Sequence, residues 1–294
     1  MRAVRLHDHG LSVDEVDVPQ PGAGEALVRV HAAGITRDEL SWRTDRLPAI
    51  PSYELSGVVA ELGCGADDIA VGDEVFALMP FDRDGAAADY VAVPAAVLAA
   101  KPQSLSHAES AALTLAGLSA WQGLFDHGAL REGERVRVLG AKGGVGHLAV
   151  QLAGDALVGP DDPCDLVFDT AGGDVLAAAI GSAPRIVSVA EESDHVTYFI
   201  VESNRAQLIE LGRRADAGEL NATIDSIFAL EDAAAAFASR VVRRPAMNST
   251  GHPSWPLGRC ERAAVARPSI HDTRNGAPDP RSGPHIGGRI ATPR

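Results

Sequence analysis

Cysteine is scarce in this chain of 294 residues: Cys64, Cys164 and Cys260 are odd in number, far apart, and form no Cys-x-x-Cys pair. That excludes a disulfide framework and a cysteine-rich zinc site, and a reducing cytoplasm is the expected setting. Long apolar runs are missing too. None approaches the roughly 18 residues of a membrane span, and the opening MRAVRLHDHG holds no apolar signal core, so no membrane partner is expected. Positive charge is the minority, with 26 Lys and Arg against 40 Asp and Glu for a net charge of -14. This argues against nucleic acid as a partner of the chain as a whole. Aromatic residues make up only 4%, so the expected cleft is alanine-rich and poor in aromatics, suited to a small, uncharged ligand.

What is present is enough apolar content, 46%, to bury two modest cores. Charge is unevenly spread. Residues 240–294 hold ten arginines, no lysine and three acids (Glu261, Asp272, Asp279), a net of +7, which leaves -21 for residues 1–239. Eight of the 18 prolines also lie there, without helical or strand periodicity, so the stretch reads as a disordered basic tail. It is either a solvated segment without a role or a basic arm, and no aromatic stacking pattern accompanies its arginines. Before it, short strand-like runs (RAVRL, EALVRVHAAG, SGVVAELG, DEVFAL, DYVAV) separated by turn residues fill the first hundred positions, which predicts a compact β domain. From His107 on, helical and strand periods alternate: a helix, strand 136–139, helix 144–153, strand 165–169, helix 174–180, strands 186–189 and 197–201, and helix 203–216. Such alternation predicts an α/β fold with a parallel sheet. The expected layout is a β domain over 1–117, an α/β domain over 118–225, a return segment over 226–242 and the tail over 243–294.

The most informative stretch is RVRVLGAKGGVGHLAVQLAG. Gly140, Gly143 and Gly146 follow a strand and open a helix, with Gly144 as an extra glycine, which is the setting in which a glycine loop holds phosphates. Glycines allow backbone N–H groups to approach the anion, the helix start adds its positive dipole end, and Lys142 adds a cation. Ala141 and Val145 complete the loop. The competing reading is a tight turn without a ligand. After it, a dinucleotide fold normally supplies two further strands, with the residue that reads the adenosine ribose. Here GDALVGPDDP leads straight to the strand at 165–169, which corresponds to the fourth of the order 3-2-1-4-5-6. ALVG at 156–159 is too short for a central strand. The first strand is then expected to be an exposed edge, and the helix after the loop to change faces or to break the right-handed crossover rule.

The order of a β domain, then LTLAGLSAW, LGAKGGVGHLAVQLA and DLVFDTAGG, resembles the medium-chain dehydrogenase/reductase superfamily, in its zinc-independent, quinone-oxidoreductase-like branch, over residues 1 to about 239. The resemblance implies a GroES-like catalytic domain and a Rossmann doubly wound domain, here incomplete, with the active site between them. It implies NADPH or NADH as cofactor and a small apolar carbonyl or quinone as substrate, and it leaves a homodimer open. Where zinc-dependent members place ligands, this chain has Thr36, Tyr53 and Leu115, so no zinc is expected. Tyr53 is then the candidate catalytic hydrogen-bond donor. Thr114, Thr170 and Gly172 are implied near the nicotinamide, and Glu54 retains the glutamate of the family's Gly-His-Glu pattern. The shortened cofactor region and the replacement of a closing strand by VVRRPAMNS leave two alternatives, a non-catalytic nucleotide- or small-ligand-binding relative and a degenerate truncated product.

Overall fold

Short Val- and Ala-rich runs form strands wherever their apolar residues alternate toward a common interior. The computed structural model describes residues 1–36, 39–42, 46–239 and 263–266. β1 (Arg2–His7) and β2 (Gly10–Glu15) form a hairpin whose turn uses Gly10 at φ +119°. β3 (Glu25–Ile35), β4 (Glu54–Leu62), β5 (Glu74–Leu78), β6 (Tyr90–Pro94) and β7 (Ala99–Ala100) build an antiparallel sheet. β4 takes one edge of β3, and β6 takes residues 25–29 of the other.

α1 (His107–Trp121) begins at a capping box. The Ser106 hydroxyl accepts from the Glu109 N–H, and the Glu109 carboxylate accepts from the Ser106 N–H at 2.8 Å. The helix is buried nearly all round, between Phe76 and Leu78 of β5 and the apolar residues of the second half, so one core serves both halves. It continues into a π-helical turn, Gln122–His127, where a Cβ on Gly123 would collide with the Phe168 ring.

The second half holds β8 (Val136–Leu139), α2 (Gly146–Ala153), β9 (Leu166–Asp169), α3 (Gly173–Ala179), β10 (Arg185–Ser188), β11 (Thr197–Tyr198) and α4 (Arg205–Asp216). Its four strands are parallel in the order β11-β10-β9-β8, so among the described residues the Rossmann-like sheet lacks the second and third strands of a full dinucleotide fold. The strand expected at 197–201 ends at Tyr198, although Phe199 N–H still donates to the Ser188 carbonyl at 3.2 Å.

The expected conflict after α2 does not arise. Leu157 forms a single parallel bridge to Val136, and the Val158 N–H donates to the Val136 carbonyl at 3.0 Å. β9 is served instead by the Arg135 carbonyl, which accepts from Leu166 N–H at 3.1 Å. Successive carbonyls of a strand point to opposite sides, so Leu157 and β9 flank β8 on opposite edges. α2 therefore returns to the edge where a second strand would begin, and the chain crosses beneath the amino end of β8 before entering β9. Asp165 N–H to the Arg135 carbonyl (2.8 Å) and Arg137 to the Asp162 carbonyl (2.6 Å) hold that crossing. The edge of β8 is thus covered at its first residue only, because ALV is too short to ladder further.

The return segment supplies β12 (Ser226–Phe228) and α5 (Ala233–Ala238), and β13 (Ala263–Ala266) lies between β12 and β3, pairing with β3 residues 32–35. These four residues lie within the stretch read as a disordered tail. AAVA has no alternation to mark it as a strand, but the edge of β3 left open beyond β6 offers it hydrogen bonds. The remainder of the tail, with VVRRPAMNS, lies outside the described residues. Among the described residues no helix is long and apolar enough to cross a membrane.

At the start of α1 the His107 ring lies 4.4 Å from that of His31, accepts or donates with Ser56 Oγ at 2.8 Å, and faces Glu74 at 3.3 Å. Burial, then His31, pushes His107 down to about 4 against the opposing pull of Glu74, with Lys101 adding to the depression. Below its ordinary value the unfolded chain takes up this proton and the folded chain refuses it, so stability falls as pH drops from about 6.5 toward 4. Because this ring and its partner remain partly in solvent, we expect a loss of about 1 kcal/mol between pH 7 and pH 5. Urea unfolding at the two pH values should show it, and His107→Leu should flatten it. Parallel profiles for the two proteins would assign the effect to another group.

Candidate active site

Two constructions pack against the shared core. The first starts at Ser52, which is fully buried with φ +71°, a left-handed conformation that costs a non-glycine residue on the order of 1 kcal/mol. Glu39 holds it there. Its Oε1 accepts from the Ser52 N–H at 2.7 Å, and its Oε2 accepts from the Thr36 N–H at 2.9 Å. The strained residue turns the chain into β4, so the next two side chains point to opposite faces.

On one face, the Tyr53 ring meets Phe81 edge-on at 5.1 Å and lies nearly parallel to Trp42 at 6.1 Å, and Trp42 meets Phe81 at 5.4 Å. These three line a pocket of about 320 Å³, together with Arg46, Glu39 and Asp82. Among the described residues the Tyr53 hydroxyl makes no hydrogen bond. Burial, and next the Glu39 carboxylate, push its pKa above the ordinary tyrosine value, so it is a proton-bearing donor at neutral pH. The expectation of a cleft poor in aromatics is corrected. Trp42, Tyr53 and Phe81 come from three separate segments, so no local pattern announces them, and the charged members Glu39, Arg46 and Asp82 gave no signal either.

On the other face Glu54 is buried and accepts from Thr36 Oγ1 (3.3 Å), Thr114 Oγ1 (3.2 Å) and the Leu115 N–H (3.3 Å). Thr36 and Leu115, two of the positions at which zinc enzymes carry ligands, therefore do meet, but they bring a hydroxyl and an amide to a carboxylate. This donor set, with Tyr53 facing away, does not fit zinc, and among the described residues no group of three or more His, Cys, Asp or Glu is arranged to hold a metal. Thr114 is a member of this cluster, and its other partner is the Ala111 carbonyl at 2.8 Å rather than the glycine loop.

The second construction is the turn from β8 to α2. Gly140 has φ +76°, and a Cβ there would lie 2.5 Å from Thr170 Oγ1. A Cβ on Gly146 would overlap the Gly140 carbonyl oxygen, so this glycine is what lets α2 fold back against β8. Gly143 N–H donates to the Gly140 carbonyl at 2.8 Å, and a Cβ on Gly143 would meet only that oxygen, at 3.3 Å. Ala141, Gly144 and Val145 complete the turn, with Lys142 exposed at its tip. Thr170 is brought to the loop, its N–H and hydroxyl both donating to the Leu139 carbonyl (3.1 and 2.7 Å). Buried Asp169 accepts from the N–H groups of Ala171 and Gly172 at 3.0 Å and from the Ser188 hydroxyl at 2.7 Å, which fixes the turn containing Gly172. Tyr53, Phe81, Val138 and Val145 pack against one apolar core, which sets the aromatic pocket and the loop in one framework.

The sequence profile described as the alcohol dehydrogenase GroES-like domain matches residues 22–103. The chain is similar to a "Probable zinc-binding oxidoreductase, mitochondrial" of Arthroderma benhamiae, 28% identical over 72% of this chain and 83% of that protein. It is also similar to a "Quinone-oxidoreductase homolog, chloroplastic" of Spinacia oleracea, 33% identical over 52% of each. The chain thus matches about half the length of the spinach relative. The crystal structure of an alcohol dehydrogenase superfamily protein from Novosphingobium aromaticivorans superposes with a TM-score of 0.76 at 25% identity, covering 90% of this chain and 99% of that one.

Proposed function

Because this chain belongs to the medium-chain dehydrogenase/reductase superfamily, as a quinone-oxidoreductase-like member, we propose that it reduces quinones or α,β-unsaturated carbonyl compounds with NADPH or NADH and without zinc. The observation that carries this reading is Tyr53, a hydroxyl kept protonated in a small aromatic pocket and, among the described residues, without a hydrogen-bond partner. The nicotinamide, when bound, supplies the hydride. Gly140, Gly143, Gly144 and Gly146 would hold its phosphate side with backbone N–H groups and Lys142, and Thr170 and Gly172 border the same crevice. The loop would admit such a group at Gly143, where an added Cβ meets only the Gly140 oxygen, at 3.3 Å.

Hydride addition to a conjugated ring or alkene places negative charge on the distal carbonyl oxygen. Tyr53 stabilises that charge by donating a hydrogen bond, which requires neither a metal nor full proton transfer. Trp42 and Phe81 offer flat apolar walls to a planar substrate, and the volume of about 320 Å³ suits one or two fused rings. Tyr53→Phe keeps the ring packing and removes the donor. Its kcat with a simple quinone should fall about 10- to 100-fold with little change in KM for the cofactor, followed by the nicotinamide absorbance. An unchanged kcat would remove Tyr53 from the mechanism. The sheet, which among the described residues has no strand beyond β8, favours a second reading, a nucleotide-binding relative that does not turn over. Saturable cofactor binding with no oxidation by any quinone or enone would select it.

A further inference from the structure

We propose that the cofactor site is a half-site, which takes a nicotinamide mononucleotide about as tightly as the full dinucleotide. This rests on the reading of Gly140–Gly146 as the phosphate cradle. In parallel α/β sheets a ligand lies outside the carboxyl ends of two adjacent strands whose following helices depart in opposite directions. Here those strands are β8 and β9. α2 leads from β8 to the bridge at Leu157 on one edge, whereas α3 leads from β9 to β10 on the other side. The crevice so formed is where the glycine loop and Thr170 meet, so the part of the site that serves nicotinamide and the first phosphate is built.

The remainder of a dinucleotide would extend over strands beyond β8. Among the described residues the sheet stops there, apart from Leu157. That residue pairs with Val136, at the amino end of a four-residue strand, about 10 Å from the loop at the carboxyl end. Gly159, Asp162 and Asp165 continue under the same amino end. The Asp162 carboxylate accepts from the Gly159 N–H at 3.1 Å, and that of Asp165 accepts from the Arg135 N–H at 2.9 Å. Asp162 and Asp165, two of the acids that follow α2, are therefore held at the wrong end of the sheet to read an adenosine ribose. The second phosphate, ribose and adenine of a dinucleotide would project past β8 into water.

Calorimetric titration of the full chain with reduced nicotinamide mononucleotide, NADH, NADPH, AMP and 2'-phospho-AMP tests this. The expected dissociation constants of the three nicotinamide compounds lie within about tenfold of one another, with NADPH and NADH nearly equal, and neither adenosine compound competes. Gly143→Val should abolish all three while the chain stays folded. NADPH or NADH binding more than about 100-fold tighter than the mononucleotide, or displacement by 2'-phospho-AMP, would overturn the half-site and leave the proposed function standing. Tight dinucleotide binding that appears only as protein concentration rises would overturn it too, since a second copy would then supply the adenosine contacts. Failure of every nicotinamide compound to bind the folded chain would overturn both readings.

Discussion

Valine at Gly143 is expected to eliminate the stabilisation of this protein by nicotinamide nucleotides while its ligand-free melting temperature stays within about 2 °C of the parent, whereas valine at Gly146 should leave little folded protein. The two glycines occupy one loop and fail for different reasons. At Gly143 an added Cβ meets only the Gly140 oxygen, at 3.3 Å, so the turn tolerates it, but the branched side chain stands where a phosphate must approach the backbone. At Gly146 the Cβ would overlap the Gly140 carbonyl, and relief requires α2 to move off β8, opening the core around Leu148 and Phe168. Losing that packing costs several kcal/mol, a large fraction of a typical domain's stability. Thermal shift with and without nucleotide separates the outcomes. A Gly143→Val protein still stabilised by nucleotide would show that the loop is a turn and not a cradle.

Replacement of Glu54 by leucine should lower stability by about 3 kcal/mol, and by glutamine by about 1 kcal/mol. Buried Glu54 gathers Thr36 at the end of β3 to Thr114 and Leu115 of α1, and its side chain lies against Gly34, where a Cβ would come within 2.8 Å of it. Leucine removes every acceptor at once and leaves hydroxyl and amide donors buried. Glutamine keeps one oxygen. In urea the leucine variant's midpoint should move down by about 1 M. A midpoint within error of the parent would mean that the cluster does not tie the strand to the helix.

The glycine loop, the parallel second half and, among the described residues, the absence of two strands from it were legible in the sequence. Each rests on short-range causes: glycine conformation, strand and helix period, and the number of residues available between two strands. Tyr53 was singled out by the resemblance, as the residue that stands where zinc-dependent members place a ligand, and it does face a pocket. The chain alone gave no sign of Trp42, Phe81, Glu39 or Arg46 as its companions, because they converge only when the segments around β4 and β5 fold together. Nor did it show that Ser52 is held in a left-handed turn, since a buried carboxylate 13 residues earlier supplies the hydrogen bond.

One expectation failed. The crossover after α2 looked to be in conflict with the crossover rule because it was judged from local pattern. The fold instead offers vacant backbone groups, at the outer edge of β8 for Leu157 and at the upper edge of β3 for Ala263–Ala266, and short segments take them. The sequence therefore determined the glycine turn and the parallel strands around it, since those properties act within a few residues. The path beneath β8, the aromatic walls around Tyr53 and the cluster on Glu54 were decided by tertiary structure, because burial and hydrogen-bond satisfaction are properties of the closed core and not of any one segment.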